Sequence, residues 1–463
     1  MSPSPTSAAL EGRVGDIQPD LLVVGGRVVT QDADRRVIDR GAVAIAGGAI
    51  LAVGPSAELE ARWPRAPRLD ATDCVIAPGL VNAHQHLTCD PLVRSLIPDD
   101  ITSDQAIFDW ATPLHAALTP EDDELAAILS AVESLRYGTT TLIEAGTVAN
   151  PDRVAAGMVS AGIRGGVGCW GWDTPGLPFS APAAEVLRRQ AEVVRAYPQG
   201  GRVEGWVTLV GHDLVSDELL QGASELARSQ SCGLTFHLSP TEADVHGYLA
   251  RRGLRPAAHL DALGVLGEHL LLAHALWIDE AELALLLETR TAVAYCPWTY
   301  LRLAQGVTRV SRHGELIHRG GRVALGSDSV NAGDIPDIHR VAALAVGLAR
   351  DAAMDPTRAT AATGLDLATC RGADAVGLGA RVGSIEVGKR ADLVVHSTRE
   401  CAWRPMGRSD LNLIWGTDGR TVRDVLVEGE IVVRDGRSTR IDETEIAAKA
   451  GEAQAALLRR ANI

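Results

Sequence analysis

The chain has 463 residues, of which 46% are hydrophobic and 22% charged, and its net charge is −15. This length is enough for one large domain or two of moderate size. The acidic balance argues against nucleic acid or an anionic membrane as the main partner, so a small-molecule substrate is expected.

The N-terminus and the cysteines bear on where the protein resides. Residues 1–20 are polar, contain Pro and Gly, and lack the apolar core of a signal peptide, so they are predicted to be disordered. The sequence has no apolar run of about 18 residues, so no membrane span is predicted. The seven cysteines are odd in number and lack CxxC spacing, which predicts reduced thiols in a cytoplasmic protein.

Strand-like runs with turns between them fill residues 21–77 and return in residues 383–440. Examples are LLVVGGRVVT near the start and VRDVLVEGEIVVRDGR near the end. Two β-rich ends around a middle of different character predict one small β-sandwich built from both chain ends. Residues 441–463 are rich in alanine and predict a C-terminal helix.

The middle of the chain, residues 78–382, alternates short apolar runs with longer helical stretches. Eight candidate strands are found, at residues 79–86, 138–146, 163–170, 203–212, 233–239, 269–275, 291–297 and 322–329. Helical segments such as ELAAILSAVESLRY lie between them. Eight strands, each followed by a helix, predict an α/β fold of the (β/α)8 or TIM-barrel type.

Histidines and an aspartate lie at the ends of these candidate strands, where such barrels carry their chemistry. His84 and His86 end the first strand and, being two apart, point to the same face. The fifth, sixth and eighth strands end in His237, His274 and Asp328. Any one of these histidines alone would more often be structural. Four imidazoles and a carboxylate together are ligands typical of Zn²⁺, and also of Fe²⁺, Co²⁺ or Mn²⁺.

The motifs around these residues resemble those of the amidohydrolase superfamily. APGLVNAHQHL resembles its first-strand signature, and LRYGTTTLIEAG, LLAHALWIDEAEL and VALGSDS resemble its second, sixth and eighth strands. GSIEVGKRADLVV resembles its return into the β-domain. Within the superfamily the chain is most similar to the ATZ/TRZ branch, named for s-triazine hydrolases, which also contains nucleobase and nucleoside deaminases.

The resemblance implies a homo-oligomeric hydrolase with a metal ion in each subunit and these ligands: His84, His86, His237 and Asp328. It implies that His274 either ligates the ion or polarises a bound water. Binuclear relatives bridge two ions with a carboxylated lysine on the fourth strand or with a substitute acid. The chain has two lysines, Lys389 and Lys449, and both lie outside the barrel strands. One divalent ion per subunit, with zinc as the first choice, is therefore predicted.

The metal site suggests how the catalytic residues work. A divalent ion lowers the pKa of bound water from about 15.7 to about 7. Asp328 is predicted to accept the proton of that water. His274 is predicted to stabilise the developing oxyanion or hold a substrate oxygen.

One position departs from the deaminase pattern. Three residues after His237, the branch's deaminases have an acid that protonates a ring nitrogen. Here that position holds Pro240, which has no side-chain proton to give. Glu242, two residues further on, is a candidate for this role or for substrate contact, although a glutamate on an open loop is more often simply solvated.

Aromatic residues are expected at the mouth of the barrel, although they make up only 4% of the chain. Trp170 and Trp172 follow the third strand, and Tyr295 and Trp298 follow the seventh. Together with His212 at the end of the fourth strand, they are candidate substrate contacts, or they pack loops onto the barrel. As a group they predict a pocket more apolar than a nucleoside site.

These features lead to three hypotheses. The first is hydrolysis of a C–N or C–S bond in a urea, carbamate, thiocarbamate or amide, as in the phenylurea and thiocarbamate hydrolases, because a carbonyl near the metal needs no ring-protonating acid. The alternative is an amino- or chlorohydrolase of a triazine, pyrimidine or purine, with Glu242 or His274 as the acid. The third is a non-catalytic scaffold, but scaffolds usually lose ligands and this chain keeps all five.

Overall fold

The computed structural model describes residues 17–211 and 214–463. The strands in these ranges are β1 (Leu21–Val29), β2 (Val37–Ala46), β3 (Ala49–Pro55), β4 (Arg68–Asp70), β5 (Cys74–Pro78), β6 (Leu80–Gln85), β7 (Thr139–Glu144), β8 (Arg164–Val167), β9 (Val203–Gly205), β10 (Val207–Gly211), β11 (Leu234–Leu238), β12 (Leu270–His274), β13 (Ala292–Tyr295), β14 (Val323–Leu325), β15 (Leu393–Ser397), β16 (Val422–Val427), β17 (Glu430–Arg434) and β18 (Arg437–Ser438).

The α-helices are Ser56–Arg62, Thr112–Ala116, Pro120–Arg136, Pro151–Ala161, Ala183–Ala196, Asp217–Gln230, Glu242–Arg252, Pro256–Ala262, Glu280–Glu288, Pro297–Arg302, Val307–Val310, His313–His318, Ile338–Ala353, Ala361–Ala368, Cys370–Ala375, Ser409–Leu411 and Glu443–Ala461. Short π- and 3₁₀-helical turns occupy Gln105–Ala111, Cys401–Trp403, Asn412–Gly416 and Gly419–Thr421. None of the helices in the described ranges is both long enough and apolar enough to cross a lipid bilayer. Each of the seven cysteines is a free thiol.

Strands from both chain ends form one β-domain. The hydrogen-bonded order is β18-β17-β16-β15-β5-β1-β2-β3, and β4 pairs with β1. Val23 and Val43 from the first part of this sheet share a core cluster with Leu393 and Leu426 from the last part, as the two halves of a sandwich do. Residues 1–16 of the segment predicted to be disordered lie outside the described residues. At the end of that segment, the backbone amide of Asp20 donates to the carbonyl of Ile45 at 2.8 Å.

The predicted barrel strands are parallel, as a βαβ barrel requires. β6 to β9 form one run and β10 to β14 another. The fourth strand, predicted as one piece, is divided at Trp206: β9 pairs with β8, and β10 pairs with β11. At the other seam, between β14 and β6, the amide of Asp328 donates to the carbonyl of His84 at 2.9 Å.

The helices outside the barrel begin at recognisable caps. Thr119 forms a capping box at the start of Pro120–Arg136, and Asp279 forms another before Glu280–Glu288. Each of these helices buries apolar residues, such as Leu135 in the first and Leu283 in the second, while Glu121 and Glu280 in their first turns are exposed. This packing fixes the strand ends on which the site is built.

The long connection between β6 and β7 crosses the C-terminal end of the barrel, and the C-terminal helix holds it in place. Leu457 of that helix is fully buried in a cluster with Leu92 and Leu114 of the connection. Gln454 donates to the carbonyl of Leu92 at 2.8 Å. The C-terminal helix predicted for residues 441–463 therefore has a supporting role in the architecture around the site.

Candidate metal centre

Four histidines and one aspartate meet at the C-terminal ends of the barrel strands. Nε2 of His86 and Nε2 of His84 lie 3.3 and 3.6 Å from Oδ1 of Asp328. Nε2 of His274 lies 3.9 Å from Oδ2 of the same carboxylate. The ring centroid of His237 is 4.8 Å from that of His84 and 5.2 Å from that of His274. The five residues predicted as ligands thus occupy one small volume.

Hydrogen bonds to the outer ring nitrogens orient two of these imidazoles. Nδ1 of His86 is 2.9 Å from the hydroxyl of Thr147. Nδ1 of His237 donates to the carbonyl of Val210, at the end of β10. Bonds of this kind fix the ring and direct Nε2 inward, as is usual for histidines that bind metals.

The backbone is strained where two of the five residues sit. His274 and Asp328 have φ angles of 71° and 62°, in the left-handed region that residues with a side chain rarely adopt. Each is held by specific bonds. The carbonyl of His274 accepts from Nε2 of buried His313 at 2.7 Å, and Oδ1 of Asp328 accepts from the amide of Ser329 at 2.8 Å. The surrounding structure thus imposes the orientation of both side chains.

The donor set fits a divalent metal ion. Both ring nitrogens of His84 and Nδ1 of His274 are enclosed and have no hydrogen-bond partner among residues 17–211 and 214–463. Leaving such an atom unsatisfied costs roughly 1–3 kcal/mol. Imidazole and carboxylate donors gathered around enclosed, unsatisfied nitrogens are the arrangement that a borderline divalent ion satisfies.

The protonation states also suit metal binding. Burial lowers the pKa of His274 to about 3 and lowers the pKa of both His84 and His237, so these imidazoles are neutral at neutral pH and present lone pairs. Burial alone would raise the pKa of Asp328. Interactions with the neighbouring imidazoles, above all those of His84 and His86, outweigh burial and hold that pKa well below its usual value. The aspartate is therefore ionised.

A buried acid next to the centre was not among the predicted site residues. Glu144 at the end of β7 accepts from the amide of Gly146 at 2.6 Å and from the amide of Thr147 at 3.3 Å. Burial raises the pKa of Glu144 to about 7. The hydroxyl of Thr147 also contacts Nδ1 of His86. Glu144 therefore positions the threonine that orients this predicted metal ligand. The acid at a strand end in TLIEAG was the signal available in the sequence.

A second unpredicted acid, Asp90, joins two loops beside the centre. Its Oδ1 accepts from the hydroxyl of Ser329 at 2.7 Å and from the amide nitrogen of Asn331 at 2.9 Å. Ser329 follows Asp328, so this network ties the connection after β6 to the loop that carries the aspartate. Nothing local in the sequence around Asp90 indicates this contact.

Trp170 and Trp172 are both buried but differ in their hydrogen bonding. Nε1 of Trp172 donates to the carbonyl of Pro178 at 2.7 Å, whereas Nε1 of Trp170 is enclosed and has no partner in the described part of the chain. His115, which the sequence analysis missed, meets the Trp170 ring edge-on at 5.2 Å, and its Nδ1 also has no partner. The amide of Trp170 donates to the carbonyl of Val148, next to the threonine that supports His86.

The other predicted substrate contacts are more scattered. Tyr295 is buried and stacks on His313 at 4.0 Å, beneath His274. Trp298 is partly buried under the guanidinium of Arg340. Glu242 is exposed as the first residue of its helix. His212 lies outside the described residues.

The geometry can be compared with known proteins. Residues 75–432 match the Amidohydrolase family, and residues 41–66 match the bacterial imidazolonepropionase-like composite domain. A 5-methylthioadenosine/S-adenosylhomocysteine deaminase from Syntrophobacter fumaroxidans is 34% identical over 433 residues, which are 94% of this chain and 97% of the relative. A protein of the same name from Moorella thermoacetica is 33% identical over 417 residues, 89% of this chain and 94% of the relative.

Two solved structures are similar along nearly the whole chain. An adenosine deaminase from Xanthomonas campestris with bound zinc is 29% identical, with a TM-score of 0.90 over 96% of this chain and 99% of that one. An atrazine chlorohydrolase from Arthrobacter aurescens complexed with zinc is 22% identical, with a TM-score of 0.85 over 94% of this chain and 100% of that one. The similarity to the chlorohydrolase concerns the fold alone, and it supports the predicted barrel.

Proposed function

The chain belongs to the amidohydrolase family and is a hydrolase of carbon–nitrogen bonds, and we propose that it is a zinc-dependent aminohydrolase of adenine nucleosides. In this reaction water adds to the amino-bearing ring carbon, and ammonia leaves. The observation that carries the proposal is the convergence of four imidazoles and Asp328 in one small volume. The substrate class rests on the relatives, whose names describe deaminases of adenosine derivatives.

This proposal replaces the first hypothesis from the sequence. Hydrolysis of ureas, carbamates, thiocarbamates or amides has no counterpart among the relatives described above, which are deaminases and a chlorohydrolase. The comparisons instead favour the alternative, an aminohydrolase of an aromatic N-heterocycle. A scaffold without catalysis is also disfavoured, because all five residues predicted as ligands face one another.

The metal ion would be held by His84, His86, His237 and Asp328, with His274 at the edge of the set. When bound, such an ion lowers the pKa of a bound water to about 7. Asp328 is the residue of this set suited to move a proton. It is ionised, and the Ser329 amide fixes one of its oxygens. It would take a proton from the water and return it to the leaving amine.

The protonation of the ring nitrogen is the step at which this chain departs from related deaminases. Pro240 supplies no proton, and Glu242 is exposed at the start of its helix. His274 is buried beside Asp328, and its backbone is fixed by His313. A neutral imidazole can still donate its N–H to a ring nitrogen. We assign the role of hydrogen-bond donor to His274.

A substrate screen tests the proposal. Zinc-loaded protein is incubated with adenosine, 5′-methylthioadenosine and S-adenosylhomocysteine, and ammonia release is measured. Aryl ureas and carbamates, and separately aminotriazines, serve as comparison sets. Ammonia released from the adenine nucleosides is the expected result. Amine released only from ureas or carbamates would restore the first hypothesis. Activity on triazines alone would change the proposed substrate class from adenine nucleosides to triazines.

A further inference from the structure

A second cavity opens at the N-terminal end of the barrel, opposite the metal centre. Its volume is about 450 Å³, and it lies where β9, β11 and β12 begin. Small-molecule sites typically have volumes of about 300–1,000 Å³. The N-terminal face of such a barrel usually serves stability, whereas catalysis occupies the other face. The proposed aminohydrolase reaction therefore does not account for this cavity.

One wall of the cavity is apolar and rigid. It includes Trp206, Leu271 and Leu378. The indole of Trp206 is fixed between Gly166 and Gly233, because a Cβ on these glycines would lie 2.6 and 2.4 Å from the ring. An immobile aromatic ring in the wall favours a ligand with a flat apolar body.

Two guanidinium groups also line the cavity. Nη2 of Arg381 pairs with Glu204 at 2.6 Å, while its Nη1 is enclosed without a hydrogen-bond partner. Glu204 is already engaged, since it also accepts from the amide of Gly200 at 2.6 Å. Arg228 donates to two backbone carbonyls and forms no ion pair within the described part of the chain. The lining contains two guanidinium groups and two carboxylates, those of Glu204 and Glu268. Among the described residues, Arg228 is the guanidinium of this lining that has no carboxylate partner.

The other titratable groups of the lining, Glu268 and His269, do not neutralise the charge of Arg228. Glu268 pairs with Arg290 at the surface. Burial and the charge of Arg228 lower the pKa of His269 to about 4, so this imidazole is neutral. Nε2 of His269 is 2.8 Å from the hydroxyl of Ser224. The wall therefore combines an apolar surface with one guanidinium group, that of Arg228, that has no carboxylate partner among the described residues, and a second, that of Arg381, that shares Glu204.

We propose that this cavity binds a small aromatic carboxylate, with its ring against Trp206 and its carboxylate on the guanidinium groups of Arg228 and Arg381. Guanidinium groups bind carboxylates through paired, charge-assisted hydrogen bonds. Glu204 competes with the ligand for Arg381. The site is thus a weak anion site whose affinity depends on that internal ion pair.

Calorimetric titration with benzoate tests the site, with benzamide as its neutral counterpart. Zinc-loaded wild-type protein is expected to bind benzoate saturably and benzamide at least roughly tenfold more weakly. Arg381→Gln should weaken benzoate binding roughly tenfold. Glu204→Gln should tighten it, because glutamine keeps an oxygen for the Gly200 amide but no longer holds the guanidinium. Arg188→Gln removes a distant surface charge and should change nothing.

The measurement does not depend on turnover, so it can fail or succeed independently of the proposed reaction. Absence of saturable benzoate binding to the wild type would overturn the proposal. Equal binding by the Arg381→Gln and Glu204→Gln variants would overturn it too, since benzoate bound to the metal ion would behave in that way. If Arg381→Gln does not fold, the direction of change in Glu204→Gln decides.

Discussion

Asp328 is the residue on which the chemistry depends most. It lies within 4 Å of three histidines, has a strained backbone, and accepts a fixed bond from Ser329. These contacts keep the carboxylate ionised and aimed at the centre. A carboxylate so held can exchange a proton with water without first reorganising.

Asp328→Asn is expected to lower kcat by roughly 10²–10⁴-fold, because an amide cannot accept the proton. The ammonia-release assay measures the effect, and circular dichroism checks folding. Glu242→Gln is the matched control, since it makes the same chemical change at an exposed residue and should alter kcat little. Near-normal turnover in Asp328→Asn would contradict the assigned role. A large loss in Glu242→Gln would make Glu242 the missing acid.

Two neighbouring tryptophans allow substrate contact to be separated from packing. Trp170→Phe removes an indole N–H that has no protein partner, whereas Trp172→Phe removes the donor to the Pro178 carbonyl. Trp170→Phe should raise KM for adenosine roughly fivefold, and it should lower the free energy of unfolding less than Trp172→Phe does. Trp172→Phe should leave KM unchanged and lower stability by about 1–3 kcal/mol more than the other variant. Kinetics and urea unfolding of both variants decide, and equal effects on KM would remove Trp170 as a contact.

The sequence was sufficient to predict some site residues and not others, for physical reasons. His84 and His86 share a strand face, and the remaining predicted ligands lie at strand ends, so the barrel prediction alone brought them together. His115 sits on a short helix in a long connection. Only tertiary packing places that helix against Trp170. Asp90 is likewise joined to Ser329 across 239 residues of chain.

At the scale of elements, one strand illustrates the limit of pattern analysis. The run VEGWVTLVG is mostly apolar and predicts one continuous strand. The structure interrupts it at Trp206, whose indole needs the room between Gly166 and Gly233. On the two sides of the break, β9 pairs with β8 and β10 pairs with β11. The two glycines beside the indole lie in other segments of the chain, so the local periodicity of this run cannot reveal the break.

The C-terminal helix offers a prediction about an element remote in sequence from the site. Leu457 is fully buried against the connection that carries Asp90 and His115. Leu457→Ala should cost about 2–5 kcal/mol and speed amide hydrogen exchange in residues 88–118. Val159→Ala, at an exposed helix position, is the control and should change neither quantity. Unaltered exchange in residues 88–118 would mean that the helix does not hold the connection.

At the scale of the whole molecule, a buried ion cluster joins the barrel to the β-domain. Arg164 at the start of β8 binds Asp392 at 2.8 Å and Glu428 at 3.1 Å, and 2% of its side chain is exposed. Both acids belong to the part of the chain that returns to the β-domain. Arg164 of the barrel and the two acids of the returning segment thus neutralise one another across the contact between the domains. A homo-oligomer remains a prediction from the family resemblance.

Arg164→Met should lower the free energy of unfolding by about 3–5 kcal/mol, because it leaves Asp392 buried without its partner. We expect calorimetry to resolve two unfolding transitions in this variant and one in the wild type. Arg153→Met is the control: it and its partner Glu124 are partly exposed and lie outside the cluster, so the loss should be below about 1 kcal/mol. Equal losses in the two variants would show that the buried cluster has no special role in joining the domains.

The most direct test of the account is a zinc titration of the metal-free protein, followed by ammonia release from adenosine. If one ion held by His84, His86, His237 and Asp328 supports the reaction, the rate should rise linearly and reach a plateau at one equivalent of zinc per chain. A plateau at two equivalents, or no ammonia at any zinc concentration while the protein remains folded, would contradict it.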